Sequence, residues 1–173
     1  MSQIKLPAGA GKEEVFKNVA EYLSEAGFLI AKTDETRPWG GFFVLDETQI
    51  EKFISAYFDD VALSEAQIKQ KLSPKFLLVA PGARLSWQYH FRRAELWKLI
   101  SGESGIVRSD TDEQGDLAYM KIGETVSLKK GERHRLVGLE NWGVVSEIWM
   151  HSDPSNPSDE DDIVRLADDY ARS

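Results

Sequence analysis

Two residues apart in the stretch 82–95, Gly-Ala-Arg-Leu-Ser-Trp-Gln-Tyr-His-Phe-Arg-Arg-Ala-Glu, stand Gln88 and His90. In an extended strand that spacing sends both side chains out of one face, which Arg84 and Ser86 share. A turn at 91–93 would reverse the chain and lay Glu95 beside His90 on the neighbouring strand. His134, after the glycine turn at Gly131, opens another strand and supplies a fourth donor. One amide oxygen, two imidazoles and one carboxylate, with room for water or substrate, suit a single divalent ion. Zn²⁺ fits such donors first, and Mn²⁺, Fe²⁺, Co²⁺ or Ni²⁺ also suit them. Taken singly, a histidine beside a glutamate is an ordinary hydrogen-bonded pair. The joint spacing of four donors is what points to a metal.

Positioning those donors requires many short strands. Downstream of Pro74, strand-like segments at 76–80, 84–90, 95–100, 105–108, 117–122, 125–128, 134–139 and 144–150 alternate with glycine-containing turns. This pattern predicts a mainly β sandwich or barrel, with a jelly roll its commonest closed form. Upstream, apolar residues at three- and four-residue steps predict helices over 12–28, 48–57 and 64–72, around a strand-like run at 41–45. A polar linker at 152–158 leads to a short acidic C-terminal helix over 159–170, its first turn carrying Asp159, Glu160, Asp161 and Asp162.

At 173 residues the chain fits one domain and carries a formal charge of −8. It has no cysteine, which excludes disulfide scaffolds and thiolate-ligated zinc. The negative charge argues against coating nucleic acid or anionic lipid, and no apolar run reaches bilayer length. With no secretory leader pattern at the start, the expected location is cytoplasmic. Residues 151–173 hold seven acids and two bases, so positions 1–150 carry only −3. Anionic partners are thereby limited to small, locally held ones.

The spacing of Gly82, Gln88, His90, Glu95 and Gly102, and of Gly123, Gly131 and His134, resembles the two motifs of the cupins, with Gln88 in place of the first histidine. Lys129 replaces a motif proline and Gly138 a motif asparagine. The glutamine narrows the resemblance to the cupin part of type II mannose-6-phosphate isomerases. Their Arg-Pro-Trp-Gly entry is seen at 37–40, their Arg-Ala-Glu-x-Trp at 93–97 and their Glu-Asp-Asp-Ile-Val-Arg at 160–165. The resemblance implies a double-stranded β-helix over 37–151 with a helical insertion at about 46–73. It also implies an N-terminal helical extension over 1–36 and a linker with C-terminal helix over 152–173. Departures fall at Phe91, Arg92 and Leu96, where the family usually has other residues, and at Trp87, which replaces a smaller one. They spare the ligands and reshape the sugar pocket.

For such a fold the implied activity is aldose–ketose isomerisation, with mannose 6-phosphate and fructose 6-phosphate first among substrates. An unphosphorylated sugar such as lyxose or mannose, a non-catalytic sugar-binding role and iron-dependent oxygen chemistry are the alternatives. Moving a proton between C1 and C2 needs a Lewis acid and a base. Glu147, on a strand with Val145 and Trp149, is one candidate; a buried carboxylate paired with an arginine is its equal alternative. The resemblance adds Arg165 as an active-site residue. Arg84, Lys75 and Arg172 are the cations proposed for substrate binding. Cupins commonly pair through their sheets, which implies a homodimer.

Overall fold

Strand β3 (Lys75–Val79) reads Lys-Phe-Leu-Leu-Val and is buried along its whole length, so both of its faces must be covered. Alternation divides its residues between two apolar clusters. Phe76 and Leu78 pack with Val15, Phe16, Val19 and Leu23 of helix α1 (Lys12–Glu25) and with Ile50, Phe53 and Tyr57 of helix α2 (Ile50–Tyr57). Leu77 and Val79 pack on the other side with Trp97, Leu99, Leu136 and Val145. Helices therefore seal the outside of the sheet, and the second cluster fills its interior. This computed structural model describes residues 3–170.

One antiparallel sheet holds all nine strands. Its path runs β1 (Ile30–Asp34), β2 (Gly40–Leu45), β3, β8 (Arg133–His151), β4 (Trp87–Tyr89) and β9 (Val164–Ala167). Off this path, β5 (Arg93–Ser109) pairs with β8, with β7 (Thr125–Leu128) and with β6 (Ala118–Tyr119). The long β5–β8 ribbon is the axis of the molecule. Its pairing shifts at Leu99/Ser101 and Gly102/Ser104, where Gly102 faces Gly143. A side chain at Gly102 would lie 2.0 Å from the Trp142 carbonyl oxygen, and its φ of 72° favours glycine. The sequence predicts turns at these glycines; the structure passes through them as bulges, so four predicted segments become two strands.

The mainly β architecture agrees with expectation, with three departures. Residues 159–170 form turns and strand β9 instead of the predicted C-terminal helix. β4 has polar backbone groups to pair on its open side, and Trp87, Gln88 and Tyr89 find Ala167, Arg165 and Val164 there. Strand β1, within the segment read as a helical extension, pairs with β2. It is exposed almost throughout and so carries no apolar alternation to announce it. Helix α3 (Glu65–Ile68) stops short of residue 72, because the Glu47 carboxylate accepts the backbone N–H groups of Leu72 and Ser73. Among the described residues, no helix is long and apolar enough to cross a membrane.

Candidate metal centre

The inner face of the sheet places the donors by register. Glu95, Trp97 and Leu99 of β5 face Trp149, Glu147 and Val145 of β8, and Gln88 of β4 faces His134. His90 follows β4 and turns inward. Its Nε2 lies 2.7 Å from Glu95 Oε1, and His134 Nε2 lies 3.3 Å from the same oxygen. All three residues are buried, and their ligand atoms fall within 4.8 Å of one another. Gln88 lines the adjoining cleft with Glu95, and its Oε1 accepts a 2.5 Å hydrogen bond from Ser86 Oγ. The structure thus brings the three buried sequence-predicted ligands into one cluster and puts Gln88 beside it.

Hydrogen bonds fix which ring nitrogen is available. His90 Nδ1 lies 2.6 Å from the Asp162 carbonyl oxygen, and His134 Nδ1 lies 3.0 Å from that of Glu132. A carbonyl only accepts, so both Nδ1 atoms carry hydrogen and each ring directs its Nε2 toward Glu95, offering a lone pair whenever the ring is neutral. The Arg93 guanidinium, which only donates, stands 3.4 Å from His90 Nε2 and agrees with that assignment. Two lone pairs and a carboxylate oxygen facing one another repel unless a proton or a metal cation lies among them. Glu95 Oε1 and His134 Nε2 are indeed buried without a hydrogen-bond partner. Burial would raise the Glu95 pKa, but the charges of His90 and Arg93 outweigh it and hold the carboxyl well below its usual range. A charged carboxylate, two oriented imidazoles and a nearby amide oxygen fit a divalent ion, with outer partners of the kind metal sites require.

Above the cluster opens a cleft of about 520 Å³. Glu147 lines it, its two oxygens accepting from Trp97 Nε1 at 2.8 Å and Trp149 Nε1 at 3.1 Å. Burial, and then the Glu95 charge, push its pKa up to about 8, against the pull of Lys75. Indoles, and not an arginine, are therefore its hydrogen-bond partners. Lys75 faces Glu147 across β3 and β8, sits 4.1 Å from the Trp149 ring and pairs with Glu160 at 2.7 Å. Arg165 faces Gln88 from β9 and lines the same cleft.

Arg84 lies elsewhere. The strand it was expected to share with Gln88 is regular only over Trp87–Tyr89, and Arg84 makes an isolated bridge to Val137. Alternation therefore does not carry over from Gln88 to Arg84. Its guanidinium makes a bidentate pair with Asp169, at 2.8 and 2.6 Å, and is absent from the cleft lining. Arg84→Ala is accordingly expected to leave sugar or sugar-phosphate binding within about threefold of the parent, as calorimetry would check, because an exposed pair contributes little. Arg172 lies outside the described residues.

In the sequence, Asp162 is one of four acids in the expected helical turn at 159–162, and nothing there sets it apart. It is buried, and its carboxylate accepts from the Phe91 and Arg92 backbone N–H groups at 2.9 Å each and from Ser158 Oγ at 2.6 Å. The same residue's carbonyl holds His90 Nδ1. Asp162 therefore clamps the ligand turn from the C-terminal segment. We expect Asp162→Ala to weaken divalent-metal affinity by about 10- to 100-fold, the usual loss for an outer partner, as chelator competition would measure. The available signals were the seven-acid composition of the tail and the place of Asp162 in the Glu-Asp-Asp-Ile-Val-Arg stretch at 160–165, and neither names a partner.

Comparison with known proteins bears on the family and the fold. The family described as mannose-6-phosphate isomerase C-terminal matches residues 60–168. The xanthan biosynthesis protein XanB of Xanthomonas campestris pv. campestris (strain B100) is 28% identical over 137 residues, covering 79% of this chain and 23% of that protein. A mannose-1-phosphate guanylyltransferase of Escherichia coli (strain K12) is 28% identical over 136 residues, covering 79% and 22%. The chain thus spans less than a quarter of the length of these relatives. Among solved structures, the capsular polysaccharide assembling protein CapF of Staphylococcus aureus superposes with a TM-score of 0.53 at 14% identity, over 90% of this chain and 37% of that one. The chain belongs to the mannose-6-phosphate isomerase C-terminal family and carries its cupin-type fold.

Proposed function

We propose that this chain is a divalent-metal-dependent isomerase that interconverts mannose 6-phosphate and fructose 6-phosphate. One observation carries the reading: the buried His90–Glu95–His134 cluster meets, through Glu95, a cleft that also holds a sequestered carboxylate, Glu147, and several cations. That is the equipment an aldose–ketose proton shift requires. The family match supports a sugar-phosphate isomerase, and a relative named for mannose 1-phosphate supports a phosphorylated mannose.

Gln88, His90, Glu95 and His134 would hold the ion, whose chemistry when bound is Lewis-acid polarisation of the oxygens on C1 and C2. Trp97 and Trp149 fix the two Glu147 oxygens, so its carboxylate presents a defined edge to the substrate carbon. Glu147 takes the proton from C2 of the aldose and returns it to C1, while a hydroxyl proton passes from O2 to O1. Deprotonation leaves a transient negative charge on the enediolate. Lys75, one strand away, offsets that charge.

The test is a direct assay. Purified chain, stripped of metal and reloaded with Zn²⁺, Mn²⁺ or Co²⁺, is expected to interconvert the two hexose phosphates. Failure with every ion, despite stoichiometric metal binding, overturns the isomerase reading.

A further inference from the structure

Three cations surround one aromatic ring in the cleft wall. Lys32 Nζ, Lys75 Nζ and Arg37 Cζ lie 5.8, 5.8 and 5.5 Å from the centroid of the Phe42 ring, and all three residues line the cleft. Two already have carboxylates beside them: Arg37 contacts Asp34 at 3.2 Å and Lys75 contacts Glu160 at 2.7 Å. Lys32 makes no ion pair within 4 Å among the described residues. Burial would raise the Glu160 pKa, yet Lys75, Arg93 and Lys32 together hold that carboxyl below its usual range. Glu160, itself mostly exposed, meets the cradle at its edge through Lys75.

Register relates this cradle to the reacting end. Lys32 faces Val44, Val44 faces Lys75, Lys75 faces Glu147, and Glu147 faces Trp97, a single row across five strands. Register partners leave the same face of the sheet. At about 4.8 Å per strand, Lys75 stands roughly 5 Å and Lys32 roughly 14 Å along the row from Glu147. A substrate whose C1 and C2 sit at Glu147 and the ligand cluster would lay its other end over Phe42.

We infer that Lys32, with Arg37 and Lys75, forms the subsite for the phosphoryl group of the substrate, and that Glu160 occupies it as an internal counter-ion until the phosphate displaces it. The inference rests on the sugar-phosphate reading above and names the residues that choose phosphorylated over plain sugar. Lys32 and Arg37 precede residue 60, where the family match begins, so this half of the subsite comes from outside the matched segment. Strand β1 thereby acquires a purpose that its exposed sequence does not announce.

Calorimetric titration of the full chain with mannose 6-phosphate, mannose and inorganic phosphate tests this. The parent is expected to bind mannose 6-phosphate at least about tenfold more tightly than mannose, as a charged hydrogen bond allows. Lys32→Met is expected to remove about tenfold of that preference while leaving mannose affinity and metal affinity unchanged. Glu160→Gln is expected to bind inorganic phosphate several-fold more tightly. A Lys32→Met preference within twofold of the parent overturns the subsite, as does weaker phosphate binding by Glu160→Gln. Phosphate-dependent binding that Lys32→Met loses, without turnover by the parent, would sink the isomerase reading and leave the subsite standing. Turnover with an unchanged Lys32→Met preference does the reverse.

Discussion

Glu95→Gln is expected to abolish metal retention, a loss exceeding the roughly 10- to 100-fold that follows removal of an outer partner, and with it any metal-dependent turnover. Glu95 supplies the only carboxylate in the cluster, and its Oε1 is the atom both imidazoles approach. Without that charge, the remaining donors are two neutral rings and an amide, too weak a set to hold a divalent ion against water. Metal-free stability moves differently. A carboxyl held well below its usual range by its surroundings stabilises the metal-free fold at neutral pH, so the substituted chain is expected to unfold earlier than the metal-free parent. Melting with and without chelator separates the two effects, since only a chain that binds metal in its folded state is stabilised by it. The parent should melt at a lower temperature when stripped, and the Glu95→Gln chain should show no difference. A chelator-sensitive melt in the variant would move the ion to other ligands.

The second large effect is expected at Glu147. Glu147→Gln removes the group proposed to carry the substrate proton, and loss of such a group lowers turnover by roughly 10²- to 10⁴-fold. The substitution is close to isosteric, and its cost to the fold is limited by two opposed terms. One of the Trp97 and Trp149 indoles loses an acceptor, at about 1–3 kcal/mol, while a carboxylate pushed up to about 8 by burial and by Glu95 no longer has to be accommodated. Metal affinity should stay within about threefold, because Glu147 is not a ligand. Exchange of the C2 hydrogen in deuterated solvent gives the cleaner readout: the parent should wash deuterium in, and the variant should not. A variant that turns over within tenfold of the parent would transfer the role of base to another group.

The donors were legible because their relation is local. Gln88, His90 and Glu95 lie within eight positions, and a strand period of two with one reversal suffices to converge them. Strand β7 was legible for a similar reason, being bounded by Gly123 and Gly131 on either side. What escaped the sequence depended on partners far along the chain. β9 is set by the open side of β4, and its acidic lead-in reads as a helix start until Asp162 is seen holding the Phe91 and Arg92 amides. Arg84 was misplaced because a periodicity valid for three residues was extended to seven. The glycines at 102 and 143 looked like two turns; only their facing each other across β5 and β8 makes them one bend. In each case the missing information was a register, which no single segment contains.

The clamp at Asp162 also sets an order in time. His90 and Asp162 are 72 positions apart, and at roughly 5–20 residues per second the later residue is synthesised about 4–14 s after the earlier. Through that interval a nascent chain possesses every proposed ligand up to Glu95, and then His134, with nothing to hold the His90 ring in the required tautomer. Closing so long a loop is slow compared with forming the β5–β8 ribbon it docks onto. Were the cluster to hold an ion, that ion would meet a complete site only after residue 162 has emerged and strand β9 has been laid against β4.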